Sequence, residues 1–433
     1  MTGRLGILHS WRRVLLLLPL TLVIVGLIVG FFNEALGPNL SQSIPFFGGS
    51  RGPIYQECVP PPLSDRPPTV NAFELLPHLL RQLWAPLLVP LTEPAFTTRD
   101  GTIKKLPADK PLIHTHPLGK RICILDVDTR ELDEKGDIFA STLPKFSNIK
   151  LQTSGYVSHY LYAMVHGYTY KFLRVPTYKD RAPHWTKVIF TKELLKEYDI
   201  VVMLDYDTMF PSPELPFEWL LNYWQIDRDV IVAMSEDPNV GQNMDRKGKP
   251  NVNSGFIIAQ SMGDPQKTQE LFKDWAECPD EKRYKGCAEY KDVIFHEQSG
   301  FSSFVRYDFL NGLSVETEEG RKYVRALPCS EANGIPDVKD TGCIGHLVRH
   351  FWGHKFATPR ELSESILENL VPLLAKAAFG DMDIVRDYRG MVLEGGQIVD
   401  ANGFGKMGAG GANEGADLKG GHEGGDPPAP APP

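Results

Sequence analysis

The sequence predicts an α/β fold with a mostly parallel central sheet, and three features carry that prediction. Between residues 119 and 393, short β-branched-rich runs alternate with stretches of helical period, the pattern of a sheet covered by helices. Ile200–Leu204 is apolar at every position, as in a strand buried on both faces. That run feeds directly into Asp205-Tyr206-Asp207. Two carboxylates one residue apart at the end of a buried strand need a compensating charge, and open α/β sheets bind ligands at the carboxyl ends of their strands.

Composition narrows the classes. The 433 residues suffice for one large domain with attachments, and a hydrophobic content of 42% supports a true core. A formal charge of −8, with no basic stripe interleaved with aromatics, argues against nucleic acid as a partner. The cysteines Cys58, Cys123, Cys278, Cys287, Cys329 and Cys343 form no Cys-x-x-Cys pair, which speaks against zinc. Cys278/Cys287 and Cys329/Cys343 are near enough in sequence to close small loops in an oxidising compartment, though spacing does not settle the connectivity. Cys123 lies in an apolar run and reads as a buried thiol.

Taken in order, residues 1–13 carry Arg4, Arg12 and Arg13, and 14–32 is uncharged and apolar. About 19 helical residues reach roughly 28 Å, close to the thickness of a bilayer core. With arginines before the span and Asn33-Glu34 after it, the expectation is a single-pass type II anchor with a cytosolic N-terminus. Residues 33–118 are proline-rich and read as an extended stem. Within it Glu74–Leu91 is apolar but broken by Pro77, Pro86 and Pro90, either helical turns packed on the main domain or linker. Asn39-Leu40-Ser41 is a glycosylation sequon.

Residues 119–393 are the expected globular domain. Its elements are a strand at Arg121–Val127, a helix at Ser154–His166, a strand at Tyr170–Val175 and a helix at Lys187–Tyr198 leading into the Ile200–Leu204 strand. Val230–Met234 and Asn253–Gln260 are further strands, and Leu362–Ala378 is a late helix interrupted at Pro372. Residues 394–433 run into Gly, Ala, Asp and Pro, a composition that cannot bury enough apolar surface to fold.

Five constellations carry candidate chemistry. Asp205 and Asp207 suit a hard divalent cation, Mn²⁺ or Mg²⁺, which takes carboxylate oxygens and keeps positions open for phosphate; the plainer reading is a solvated turn. Asp126-Val127-Asp128 is a second pair, at the end of the first strand of the domain, where contact with the nucleoside is expected rather than with metal. Asn253-Ser254-Gly255 permits close backbone approach to a ligand, or marks a bulge. Glu297 and Gln298, in His296-Glu297-Gln298-Ser299, could face a reacting sugar carbon, or form a polar first turn of a helix. The stretch His346–Lys355 offers His346, His350 and His354 as ligands and Lys355 as a charge for phosphate.

In this order the motifs resemble glycosyltransferase family 34, a family of fungal galactosyltransferases, mannosyltransferase subunits and plant xylosyltransferases. The matching pieces are Tyr162-Ala163 with His166-Gly167-Tyr168, Trp185-Thr186-Lys187, Leu204-Asp205-Tyr206-Asp207, Asn253-Ser254-Gly255, Glu297-Gln298-Ser299, and His350-Phe351 with Gly353 and Lys355. The plant members carry two aspartates before the glutamine, where this chain has His296-Glu297, and His354 stands where a cysteine is usual. The resemblance implies a GT-A fold, Mn²⁺, a UDP- or GDP-sugar donor and retention of anomeric configuration. It assigns Asp205, Asp207 and His350 to the metal, Lys187 and Lys355 to the diphosphate, and Glu297 and Gln298 to the anomeric carbon. Expected partners are a glycan or glycoprotein acceptor, the Golgi membrane and other transferase subunits. Two rivals stand beside this reading. One is a non-catalytic subunit of a Golgi transferase complex. The other is an Asp-nucleophile phosphatase, which wants Thr or Val where this chain has Met209 and Arg130.

Overall fold

The computed structural model describes residues 72–293, 295–336, 338–380, 389, 391–394 and 397–400. The expected membrane span at 14–32, the stem up to residue 71, the Asn39 sequon and the tail beyond 400 lie outside the described residues. Among the described residues no helix is long and apolar enough to cross a membrane.

In chain order the elements are α1 (Ala72–Trp84), β1 (Ala95–Thr97), β2 (Ile103–Lys105), β3 (Ile122–Asp128), α2 (Leu151–His166), β4 (Thr169–Arg174), α3 (Thr186–Leu194), β5 (Ile200–Leu204), β6 (Thr208–Met209), α4 (Phe217–Tyr223), β7 (Val232–Glu236), β8 (Val252–Gln260), α5 (Pro265–Ala276), α6 (His296–Ser303), α7 (Glu318–Tyr323), β9 (Val324–Leu327), α8 (Cys329–Ala332), β10 (Arg349–His350), α9 (Thr358–Phe379), β11 (Met391–Glu394) and β12 (Gln397–Asp400). A six-stranded sheet of order β4-β3-β5-β8-β7-β9 forms the centre. All of its strands run parallel except β8, which pairs antiparallel with both β5 and β7.

The unbroken apolar runs of β5 and β8 follow from burial on two faces. Val201 and Met203 of β5 and Ile257 and Ala259 of β8 join one core with Val188, Leu271, Phe272, Trp275 and Phe301, from α3, α5 and α6. Ile200, Val202, Leu204, Phe256 and Ile258 join the opposite core with Tyr162, Phe217 and Trp219, from α2 and α4. Each fully buried aliphatic side chain contributes about 1.5–3 kcal/mol, so β5 is anchored from both sides and its end is held rigidly.

Residues 72–118, expected as part of the stem, belong to the same compact unit as the sheet. For Glu74–Leu91 the packed alternative is the one present: α1 lies on α2, and Trp84 is buried. The connection is tied down by α4, where Asn222 accepts from the backbone of Ile113 and His114 and Trp219 donates to the Glu93 carbonyl. Two further expectations shift. α9 begins at Thr358 and runs through Pro372 without a break, because Pro372 lies on an exposed face where water can satisfy the carbonyl the ring leaves unpaired. At the other end, β11 pairs with β12 as far as Asp400, past the boundary expected at 393. Disulfides join Cys278 to Cys287 and Cys329 to Cys343, and Cys123 is a buried free thiol.

Candidate metal and donor site

Strand direction gathers the site. The carboxyl ends of β3, β5 and β7 and the amino end of antiparallel β8 meet at one edge of the sheet, as the register Leu204↔Phe256 and Ser235↔Asn253 requires. The chain leaves β3 to form β4 on one side and returns to form β5 on the other, which makes a switch point of this edge. Beyond β5 the chain turns through Asp205-Tyr206-Asp207 into β6. β6 pairs with β10 in the register Thr208↔His350, and this pairing carries His350 to the aspartates.

Asp205, Asp207 and His350 each offer one ligand atom, and these atoms lie within 4.8 Å of one another. Two carboxylates and one imidazole are a donor set that fits a hard or borderline divalent cation such as Mn²⁺. His350 Nε2 lies 3.5 Å from Asp207 Oδ1, and its Nδ1 sits 3.2 Å from Asn333 Oδ1, which orients the ring. Gly255 makes room for that ring, since a Cβ there would stand 2.3 Å from His350 Cε1. Gly155 on α2 does the same for the aspartate turn, with Tyr206 O 1.7 Å from where its Cβ would be. These two close approaches are the physical reason for glycine at both positions.

Two lysines offset part of the negative charge of the site. Burial opposes ionisation of Asp207, but His350 and Lys355, whose Nζ is 3.0 Å from Asp207 Oδ2, outweigh it and hold the carboxyl well below the usual range. Lys187 is buried, which works against its charge; Asp205 and Glu297 more than offset this and raise its pKa. Its Nζ is 2.7 Å from Asp205 Oδ1 and 3.1 Å from Glu297 Oε1. Burial likewise works against the charge of Glu297, and Lys187, followed by His184 and Ser254, brings its pKa down. Glu297 Oε2 is buried and has no hydrogen-bond partner outside its own residue among the described residues.

These groups wall a cavity of about 360 Å³ whose lining includes Lys187, Asp205, Asp207, Asn253, Glu297, Gln298, His350 and Lys355. Asn253 and every residue assigned to metal, diphosphate or anomeric carbon are therefore present, whereas His346, His354 and Asp126 are not among the lining residues. Asp126 is fully buried, bonded to His159 Nδ1 at 2.9 Å and Tyr170 OH at 2.7 Å, and is absent from the cavity lining. Its carboxylate is consumed in packing α2 and β4 onto β3, so the structure gives it no place beside a nucleoside.

Sequence reading missed Asp237, at the end of β7. Its Oδ1 accepts from Asn253 Nδ2 at 2.8 Å and Asn333 Nδ2 at 3.1 Å, and its Oδ2 accepts from Gln298 Nε2 at 2.5 Å. Burial raises its pKa despite these amides. One carboxylate thus sets the orientation of Gln298, of Asn253 and, through Asn333, of His350. The available signal was an acid at the carboxyl end of a third strand. His184 was missed as well; its ring stacks on His296 at 4.5 Å, and both line the cavity.

No family model matches the chain, and no curated protein matches it. Among solved structures, it is similar to a glycosyltransferase involved in glycosylation of the major capsid of PBCV-1, with a TM-score of 0.39 at 10% identity over 56% of this chain and 98% of that one. It is similar also to mouse xyloside xylosyltransferase 1 in its apo form, with a TM-score of 0.33 at 11% identity over 55% of this chain and 99% of that one.

Proposed function

We propose that this chain is a metal-dependent glycosyltransferase that moves a sugar from a UDP- or GDP-sugar to a glycan or glycoprotein acceptor. One observation carries the reading: Asp205, Asp207 and His350 converge at a cavity that also holds two lysines and the Glu297–Gln298 pair. A divalent cation held by those three residues would neutralise the diphosphate leaving group.

The chain's own groups do the rest. Lys355, partly exposed beside Asp207, is placed to offer its ammonium to a phosphate oxygen. Lys187 keeps Glu297 ionised, and that carboxylate, on the cavity wall, can offset positive charge developing at the anomeric carbon. Gln298 is fixed by Asp237 on one side and by the Ser254 N–H on the other. The anomeric bond to the diphosphate breaks, a bond to the acceptor oxygen forms, and the acceptor proton passes to the diphosphate. The motif order resembling family 34 points to retention.

The proposal extends to location: a single-pass type II protein of the Golgi membrane with this domain in the lumen. Two disulfides support an oxidising compartment. The test is to incubate the full-length chain with a panel of nucleotide-sugars and Mn²⁺ and measure free sugar released. Hydrolysis of one donor that EDTA stops and Asp207→Asn abolishes supports the enzyme. Failure on every donor favours the non-catalytic subunit.

A further inference from the structure

Beside the donor cavity lies a second depression of about 420 Å³, and the two share Pro238, Gln242, Asn243 and Trp352. Its remaining lining residues are Val240, Gly241 and Thr341. No charged side chain is among its described lining residues. Trp352 is 39% exposed and follows two residues after His350, so an aromatic face stands at the boundary between metal site and shelf. Val240 is 50% exposed. Gln242 makes no side-chain hydrogen bond among the described residues, and Thr341 lies within the loop closed by the Cys329–Cys343 disulfide.

An indole face, two carboxamides and a hydroxyl, without charge, are a surface for a ring that is apolar on its faces and polar at its edge. A pyranose is such a ring. Phosphate, sulfate and carboxylate groups would find no cation here. A peptide strand would find no sheet edge, because none of the shelf's described lining residues lies in a strand.

We propose that this shelf is the acceptor site and that it takes an uncharged saccharide whose ring lies on Trp352. This rests on the glycosyltransferase reading for its chemistry, but binding can be measured without turnover. Continuity with the donor cavity gives the shelf its function: a hydroxyl on the edge of that ring is presented toward the space enclosed by Glu297, Gln298 and the aspartates. The disulfide-closed loop and the 3₁₀ turn Gly241–Asn243 hold the two walls.

The test uses the full-length chain and two readouts. In the first, neutral oligosaccharides ending in glucose, galactose, mannose or xylose are titrated against tryptophan fluorescence, with sialylated and phosphorylated counterparts alongside. A neutral series should saturate the signal, and Trp352→Ala should abolish the response. In the second, acceptor KM and donor hydrolysis are measured for Thr341→Trp and Val240→Trp, which fill the shelf from walls outside the donor cavity. Acceptor KM should rise by at least about tenfold, the cost of losing a packed ring contact, while donor hydrolysis stays within about twofold. Saturable binding with no turnover on any donor would keep the shelf as a saccharide site but overturn both the enzyme and the acceptor role. Turnover with acceptor KM unmoved by both variants, preference for an anionic acceptor, or no binding of any saccharide would each overturn the shelf.

Discussion

Lys187 Nζ lies 2.7 Å from Asp205 Oδ1 and also bridges to Glu297, so one ammonium joins the aspartate turn to the helix that carries Glu297 and Gln298. A buried bridge of this kind is a weak stabiliser overall, but removing one member leaves the others uncompensated. Lys187→Met should therefore destabilise the protein by about 3–5 kcal/mol in chemical denaturation and cut turnover. In the Lys187→Met/Glu297→Gln double variant, stability should recover by more than about 1 kcal/mol while activity stays low. Strict additivity in that cycle would show that the lysine and the glutamate do not communicate.

A second expectation concerns Gly255 and His350. An alanine methyl at 255 would stand 2.3 Å from His350 Cε1, and the imidazole would have to swing away from Asp207. Gly255→Ala should then mimic His350→Ala, each weakening Mn²⁺ binding by about 10–100-fold in a calorimetric titration. Asp207→Asn should lose binding altogether. His346→Ala should have no effect on it, because His346 is bonded to Asp100 at 2.6 Å, away from the site. Equal losses from all three histidine-stretch variants, His346→Ala, His350→Ala and His354→Ala, would mean that a general property of the loop, and not ligation, is being measured.

These residues also show what a sequence can and cannot disclose here. The β5 strand and its aspartates were legible because two-face burial writes an unbroken apolar run, and a carboxylate pair directly after such a run calls for a cation. That His350 and not His346 or His354 joins them depends on a two-residue pairing between β6 and β10, too short to leave a periodic trace. Asp126 misled for the opposite reason. Its local pattern matches that of Asp205, and only His159 and Tyr170, from neighbouring elements, reveal that its charge is already spent. Asp237 left only its place after the β7 strand as a signal, since its partners Asn253, Gln298 and Asn333 come from three separate segments.

Asp237 gives a third prediction. Asp237→Asn keeps the shape but replaces an acceptor oxygen with an N–H that must face Gln298 or the pair of asparagine amides. Gln298 should rotate, and misplacement of about 1 Å near a reacting centre costs on the order of 10²-fold in rate. Turnover should therefore fall by about 10²-fold, in kcat rather than in donor KM, while Mn²⁺ affinity changes by less than about tenfold. A variant with wild-type kcat would show that Gln298 is held by Ser254 alone.

The last prediction is about acid. His166 ends α2, donates from Nε2 to the Pro213 carbonyl at 2.8 Å and packs on the Tyr162 and Tyr168 rings. Burial pushes its pKa from 6.5 down to about 4, the Pro213 carbonyl offsetting only part of the effect. The imidazole is thus neutral in the fold down to about pH 4, whereas the unfolded chain takes up its proton near pH 6.5. Through that window the unfolded state binds the extra proton, so stability falls as pH falls, with a slope of at most about 1.4 kcal/mol per pH unit. Urea denaturation at pH 7 and pH 5 should show wild type losing up to about 2 kcal/mol that His166→Gln does not lose, because the amide keeps the Pro213 hydrogen bond without titrating. If the two proteins lose the same stability between those pH values, the acid sensitivity lies elsewhere in the chain and the buried imidazole plays no part in it.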